Sequence, residues 1–198
     1  MAISETKICN QALGYFGAGR ISNYETDTSE KAVLCRLYYE SMRDEVLRAH
    51  EWNCAIWYQA LSQIADDDEN YLLDDYEEYD YQYQLPTAPK CLRVLKIVDY
   101  ETYDYEIVSG YMLTNLNAVT IKYIREVEDV TKFDDNLVRA IAYRLAAEIA
   151  ERITGSGTVR QNMLVMYDWA LTKAIDIDAQ ESERPQTEEY TFRDAKDE

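Results

Sequence analysis

The apolar spacing of this 198-residue chain changes period twice, and that double change limits the available folds more than any motif does. Near the start, Ile8, Ala12, Leu13 and Phe16 fall on one helical face, with Ser4 placed to cap, Glu5 in the first turn, and Gly17 and Gly19 as the stop. Thr26-Asp27-Thr28-Ser29 then precedes a longer pattern, Cys35, Tyr38/Tyr39, Met42, Val46 and Ala49, which predicts a helix to about Trp52. From Tyr81 the period drops to two: Tyr81-Gln82-Tyr83-Gln84-Leu85 alternates until Pro86. Strands are further expected at Cys91 to Val98 and Ala118 to Ile124. Tyr105 to Val108 and Tyr111 to Thr114 read as a hairpin turning at Ser109-Gly110.

The helical period returns after Thr131, where Leu137/Val138, Ile141, Leu145, Ile149 and Ile153 form one stripe that Gly155-Ser156-Gly157 ends. Thr158 to Gln161 has capping-box spacing, and Met163, Met166/Tyr167, Ala170 and Ala174 carry a fourth helix to about Ala179. So short a link implies an antiparallel pair. About four strands of this kind are too few and too polar for a self-sufficient sandwich. The expected fold is therefore mainly α, a bundle of about four helices with a small inserted antiparallel β-sheet. Its parts are N-terminal helices at 4–62, an acidic loop and β insert at 63–128, a C-terminal helical pair at 129–179, and an extended tail at 180–198.

Charge is distributed as unevenly as hydropathy. Of a net charge of −18, residues 49–89 and 176–198 hold 16 units, and residues 49–89 contain no Lys or Arg. Such acidity argues against a nucleic-acid binder that works by neutralising phosphates, and against stable docking on anionic membrane. No apolar run approaches the ~20 residues of a membrane span, and the first residues lack a basic-then-apolar leader, so a cytosolic origin is expected.

A catalytic constellation does not emerge. The single histidine, His50, lies at a predicted helix end beside Trp52, where capping or packing is the plainer role. Cys9, Cys35, Cys54 and Cys91 lack metal-ligand spacing and read as reduced, mostly buried thiols. Asp66 to Asn70 lacks the Gly and the twelfth-position Glu of a calcium loop. The glycines near Gly14 do not make a phosphate loop. No cofactor or metal is expected. Tyrosine is abundant, with 10 of 18 between Tyr71 and Tyr123, which suits either sheet packing or a surface that meets a partner.

The order of these features resembles a known family. Ile8-Cys9-Asn10-Gln11-Ala12-Leu13-Gly14, Ser29-Glu30-Lys31-Ala32 and Tyr39 through Asn53 are similar to the opening of the tail tubular protein A family, the head-to-tail adaptors or gatekeepers of short-tailed bacteriophages. The likeness continues through Tyr83-Gln84-Leu85-Pro86, Cys91-Leu92-Arg93-Val94, Ile121-Lys122-Tyr123-Ile124, Asp129, Phe133-Asp134 and Ala140 to Ala150, and covers residues 4 to 179.

The resemblance implies a non-enzymatic virion protein: a homo-oligomeric ring, commonly of twelve copies, docked between the portal protein and the tail nozzle or hub. It also implies that the ring joins after genome packaging in the host cytoplasm and helps retain DNA. Neighbouring readings are a head-completion protein of a long-tailed phage and a tail-associated glycan hydrolase, which needs two inward-facing carboxylates. The acidic insert lies outside the resemblance. Like charge on a conduit wall repels DNA and lets it slide, so Asp66, Asp67, Asp68 and Glu69, with Asp74, Asp75, Glu77, Glu78 and Asp80, are the candidate lumen or rim face. In the tail, Tyr190 and Phe192 are candidate anchors for docking on a partner.

Overall fold

A computed structural model describes residues 3–66, 68–76, 78–100 and 102–182. Helix α1 (Glu5–Tyr15) starts where the Lys7 N–H donates to Ser4 Oγ at 3.2 Å, and it buries Ile8, Cys9, Ala12 and Leu13. Helix α2 (Glu30–Ala49) is capped by Ser29 and buries Ala32, Cys35, Tyr39, Met42, Val46 and Leu47. Helix α3 (Asp135–Thr154) begins at Asp134, whose carboxylate accepts the Asn136 and Leu137 N–H groups, and ends at Gly155 with φ +69. That left-handed residue is why glycine is needed there. Helix α4 (Gly157–Ser182) is longer than its spacing suggested, and in its first turn the Val159 N–H donates to Ser156 Oγ, so the side chain at the helix start is Ser156 rather than the expected Thr158. The two-residue link folds α4 back along α3, which packs against all three other helices.

Between the helical halves the described residues form seven strands: β1 (Ile56–Ala60), β2 (Ser62–Gln63), β3 (Tyr81–Gln84), β4 (Cys91–Ile97), β5 (Tyr105–Val108), β6 (Tyr111–Thr114) and β7 (Thr120–Arg125). They form two antiparallel sheets, β1-β7-β4 and β2-β3-β6-β5. The β5–β6 hairpin turns where expected, through left-handed Ser109 and Gly110. The first sheet is the middle layer of the molecule. Ile56, Leu92, Leu95 and Ile124 pack into the helical core, whereas Val94, Ile97, Ile121 and Tyr123 face a second core completed by Tyr83, Leu85 and Met112.

This corrects the expected fold class. Helices hold 45% of the described residues and strands 19%, so the protein is mixed α/β rather than a mainly α bundle with a small inserted sheet. Two things overturned the expectation. β1 and β2 carry no alternating pattern, because four of the five β1 residues are exposed at a sheet edge and both residues of β2 are exposed. The strands that were recognised divide between two stacked sheets, which bury apolar side chains against each other and so make a core of their own.

Candidate functional site

Where the first sheet turns its open face toward the ends of α2 and α4, a cleft of about 890 Å³ opens. Its walls carry His50, Glu51, Tyr58, Arg93, Lys122 and Asp178. Register explains the sheet side. Tyr58 pairs with Lys122 and Arg93 pairs with Ile124, so alternation puts all four side chains on one face. The β4 register shifts between Cys91 and Arg93 and again between Val94 and Lys96. A bulge re-aims the side chains beside it, and Arg93 sits between these two.

The helical side is held by a clamp. His50 ends α2, its ring meets Trp52 edge-on at 4.9 Å, and its Nε2 lies 3.4 Å from the buried Asp178 carboxylate on α4. Asn53 adds two bonds to the same residue: its N–H donates to Asp178 Oδ1 and its Nδ2 to the Asp178 carbonyl. Across the cleft, Lys122 Nζ donates to Glu51 at 2.8 Å. The cleft is thus lined by three basic and two acidic groups, with Arg93 making no ion pair among the described residues and its Nε buried without a partner.

Nucleophilic chemistry finds little support here. Burial, with the Asp178 charge beside it, pushes the Cys54 thiol up to about 11, and burial pushes Cys91 to about 11. Both therefore stay protonated near neutrality. Cys9 and Cys35 share a hydrogen bond in the helical core, and that bond together with burial raises Cys9. Among the described residues no cluster of three His, Cys, Asp or Glu side chains is arranged to hold a metal, and no helix is long and apolar enough to cross a membrane.

The acidic stretch forms the connection between β2 and β3, folded as successive turns: Asp68 N–H to the Ala65 carbonyl, Tyr71 to Asp68, Asp75 to Leu72, and Tyr79 to Tyr76. Neutral amides pin it. Fully buried Gln82 on β3 accepts the Leu72 N–H at 2.7 Å and donates to the Asn70 carbonyl at 2.8 Å. Asn115 accepts the Asp80 N–H and donates to the Glu78 carbonyl. Tyr71, Leu72, Leu73, Tyr76 and Tyr79 are half-buried, while Asp66, Asp68, Glu69, Asp74, Asp75, Glu78 and Asp80 all face solvent and form no ion pair among the described residues. Asp67 and Glu77, like Tyr190 and Phe192, lie outside the described residues.

Sequence reasoning located the acids but missed the cleft. Arg93, Lys122 and Asp178 come from three elements, and only pairing brings them together. Gln82 did leave a signal, as a polar residue inside an aromatic strand. The tyrosine cluster divides: Tyr83 and Tyr123 are buried between the sheets, donating to the Leu116 carbonyl and to Gln59, while Tyr100 and Tyr103 stack edge-on at the surface. Large apolar side chains also remain exposed on separate elements: Val33 and Leu37 on α2, Trp57 and Tyr58 on β1, Val165 and Trp169 on α4. Compared with known family models and with curated proteins, the chain matches none.

Proposed function

We propose that this chain is the subunit of a head-to-tail connector in a short-tailed bacteriophage virion, a structural protein without chemistry of its own. Copies assemble as a ring between the portal and the tail nozzle or hub, and DNA passes through without being held. The observation that carries the reading is the acidic loop pinned by Gln82, whose described carboxylates face solvent and form no ion pair among the described residues. A pinned loop of one sign presents a fixed field that repels phosphate, which suits a wall beside moving DNA.

The exposed apolar pairs on α2, β1 and α4 support the same reading, because a ring subunit meets several neighbours and needs more than one apolar surface. The sequence likeness to the tail tubular protein A family supplies the partners.

The test is the native mass of the protein alone and mixed with the portal of the same phage. A discrete ring on the portal is expected; absence of any association overturns the reading. Replacing the nine acids at 66–80 by Asn and Gln should slow DNA ejection and raise non-specific DNA affinity. Unchanged values of both would remove the acidic loop from the mechanism.

A further inference from the structure

We propose that copies of this chain join edge to edge, β5 of one copy adding antiparallel to the open edge of β1 in the next, so that the two sheets continue as one. It rests on the ring reading, whose contact between subunits it names. The first observation is which edges are guarded. Among the described residues the two sheets end in β1 and β4, and in β2 and β5. An unguarded edge is a template for another strand, and folds blunt edges with short strands, positive charge or bulges. β2 is two residues long, and β4 carries Arg93, Lys96 and two register shifts. β1 and β5 run in unbroken register without Lys, Arg or Pro, and Glu106 is the one charge on either.

The second is unpaired backbone. The Arg125 N–H donates to the Ala55 carbonyl and the Leu61 N–H to the Val119 carbonyl, so the odd-numbered residues of β1 bond to β7 while Ile56, Tyr58 and Ala60 face the open edge. The Trp52 carbonyl accepts the Ile56 N–H, but the N–H and C=O groups of Tyr58 and Ala60 meet no partner among the described residues. In the other sheet the Leu85 N–H donates to the Gly110 carbonyl, so β6 turns Met112 and Thr114 to β3, and Tyr111 and Leu113 to β5. Val108 and Glu106 therefore bond to β6, and Tyr105 and Ile107 present their backbone outward. Setting Tyr105 opposite Tyr58 bonds the two tyrosines reciprocally and gives the Ile107 N–H the Ile56 carbonyl.

The third is complementarity. That register sets Glu106 opposite Trp57, whose ring lies 4.3 Å beneath the Arg125 guanidinium. Arg125 forms no ion pair among the described residues, and its buried Nε has no partner. Glu106 is exposed and equally unpaired, and it shares the neighbourhood of Tyr79 with Asp104 and Glu78. Trp57, Tyr58 and Ile107 are exposed apolar surface on these two edges. Pairing β1 with a second β1 opposes two Arg125 groups, and β5 with β5 opposes the acids. Like charges across a strand pair repel, so the unlike edges are the ones that match. A contact between two different patches does not close at two copies, and it makes a ring when its rotation closes.

The test is the native mass of the full chain alone across a dilution series. Species larger than a dimer should appear as concentration rises, and salt should suppress them. Tyr58→Pro removes the outward N–H of β1 and Ile107→Pro that of β5; neither serves its own sheet, so α3 amides keep their protection in both variants. Each variant alone should stay monomeric, whereas their equimolar mixture should form a dimer and nothing larger, because it holds one sound edge of each kind. Should a proline unsettle its sheet, Glu106→Arg and Arg125→Glu read the same contact through charge: each alone weakens association about tenfold, and mixing them restores it. A native chain that is monomeric at every concentration overturns the proposal. So does native-like association of either proline variant alone, or a failure to pair in both mixtures. A chain that is monomeric alone yet docks on the portal separates the two readings, since the connector then stands and this contact falls.

Discussion

The helical layer and the outer sheet meet the demand for satisfied polar groups by opposite means. In the helices the backbone satisfies itself, and side chains are needed only at the ends, where Ser4, Ser29, Asp134 and Ser156 each take an orphan N–H. Their interior is then free to be apolar, and α3 alone buries ten residues. The outer sheet has short strands and a loop of turns lying against β3, so side-chain amides, the buried Gln82 and the exposed Asn115, complete the bonding. The difference teaches why the charge is segregated. A helix of this kind tolerates few uncompensated acids, whereas a loop held through its backbone by Gln82 and Asn115 turns its described carboxylates outward.

Four measurements sharpen or break that comparison. The largest effect is expected from Leu145→Ala, fully buried in α3, at about 3 kcal/mol in denaturant unfolding with all probes shifting together. Next is Gln82→Ala, which strands the Leu72 N–H and the Asn70 carbonyl and should cost about 2 kcal/mol. Its signature is local: amides of 66–80 exchange faster while those of α3 hold, and equal loss in both would show that the two layers are one cooperative unit. Asp134→Ala removes the cap of α3 and should cost about 1 kcal/mol, read as a lower melting temperature with the acidic loop unaffected.

The smallest effect is on pH. Asp27 accepts the Ser22 and Ser29 N–H groups and the Ser22 hydroxyl, and these bonds hold its carboxyl well below the ordinary 3.8. A depressed folded value means that its contribution is complete above about 3.8 and fades as pH falls toward the folded value. An acid titration of the 17–29 loop should show that loosening, and Asp27→Asn should abolish its pH dependence.

Legibility followed the range of the interactions. Four helices could be read because Ser4 and the segments 26–29 and 131–134 announce starts, Gly17 and Gly155 announce stops, and the stripe of α3 repeats from Leu137 to Ile153. The hairpin at Ser109-Gly110 was equally local. β1 was not legible, since its Trp57 and Tyr58 are exposed at an edge and no alternation marks them. Nor could the recognised strands say that they belong to two sheets, because β1 and β4 meet on opposite sides of β7 from distant points in the chain.

By itself, then, the sequence determined the helices, most strands and the location of the acidity, all of which depend on neighbours within a few turns. Only tertiary structure decided that the strands form two layers with a core between them, that Gln82 pins the acidic loop, and that Arg93 shares a cleft with Asp178. The physical reason is that strand pairing joins residues far apart in the chain, and periodicity states which face is apolar but not what will cover it.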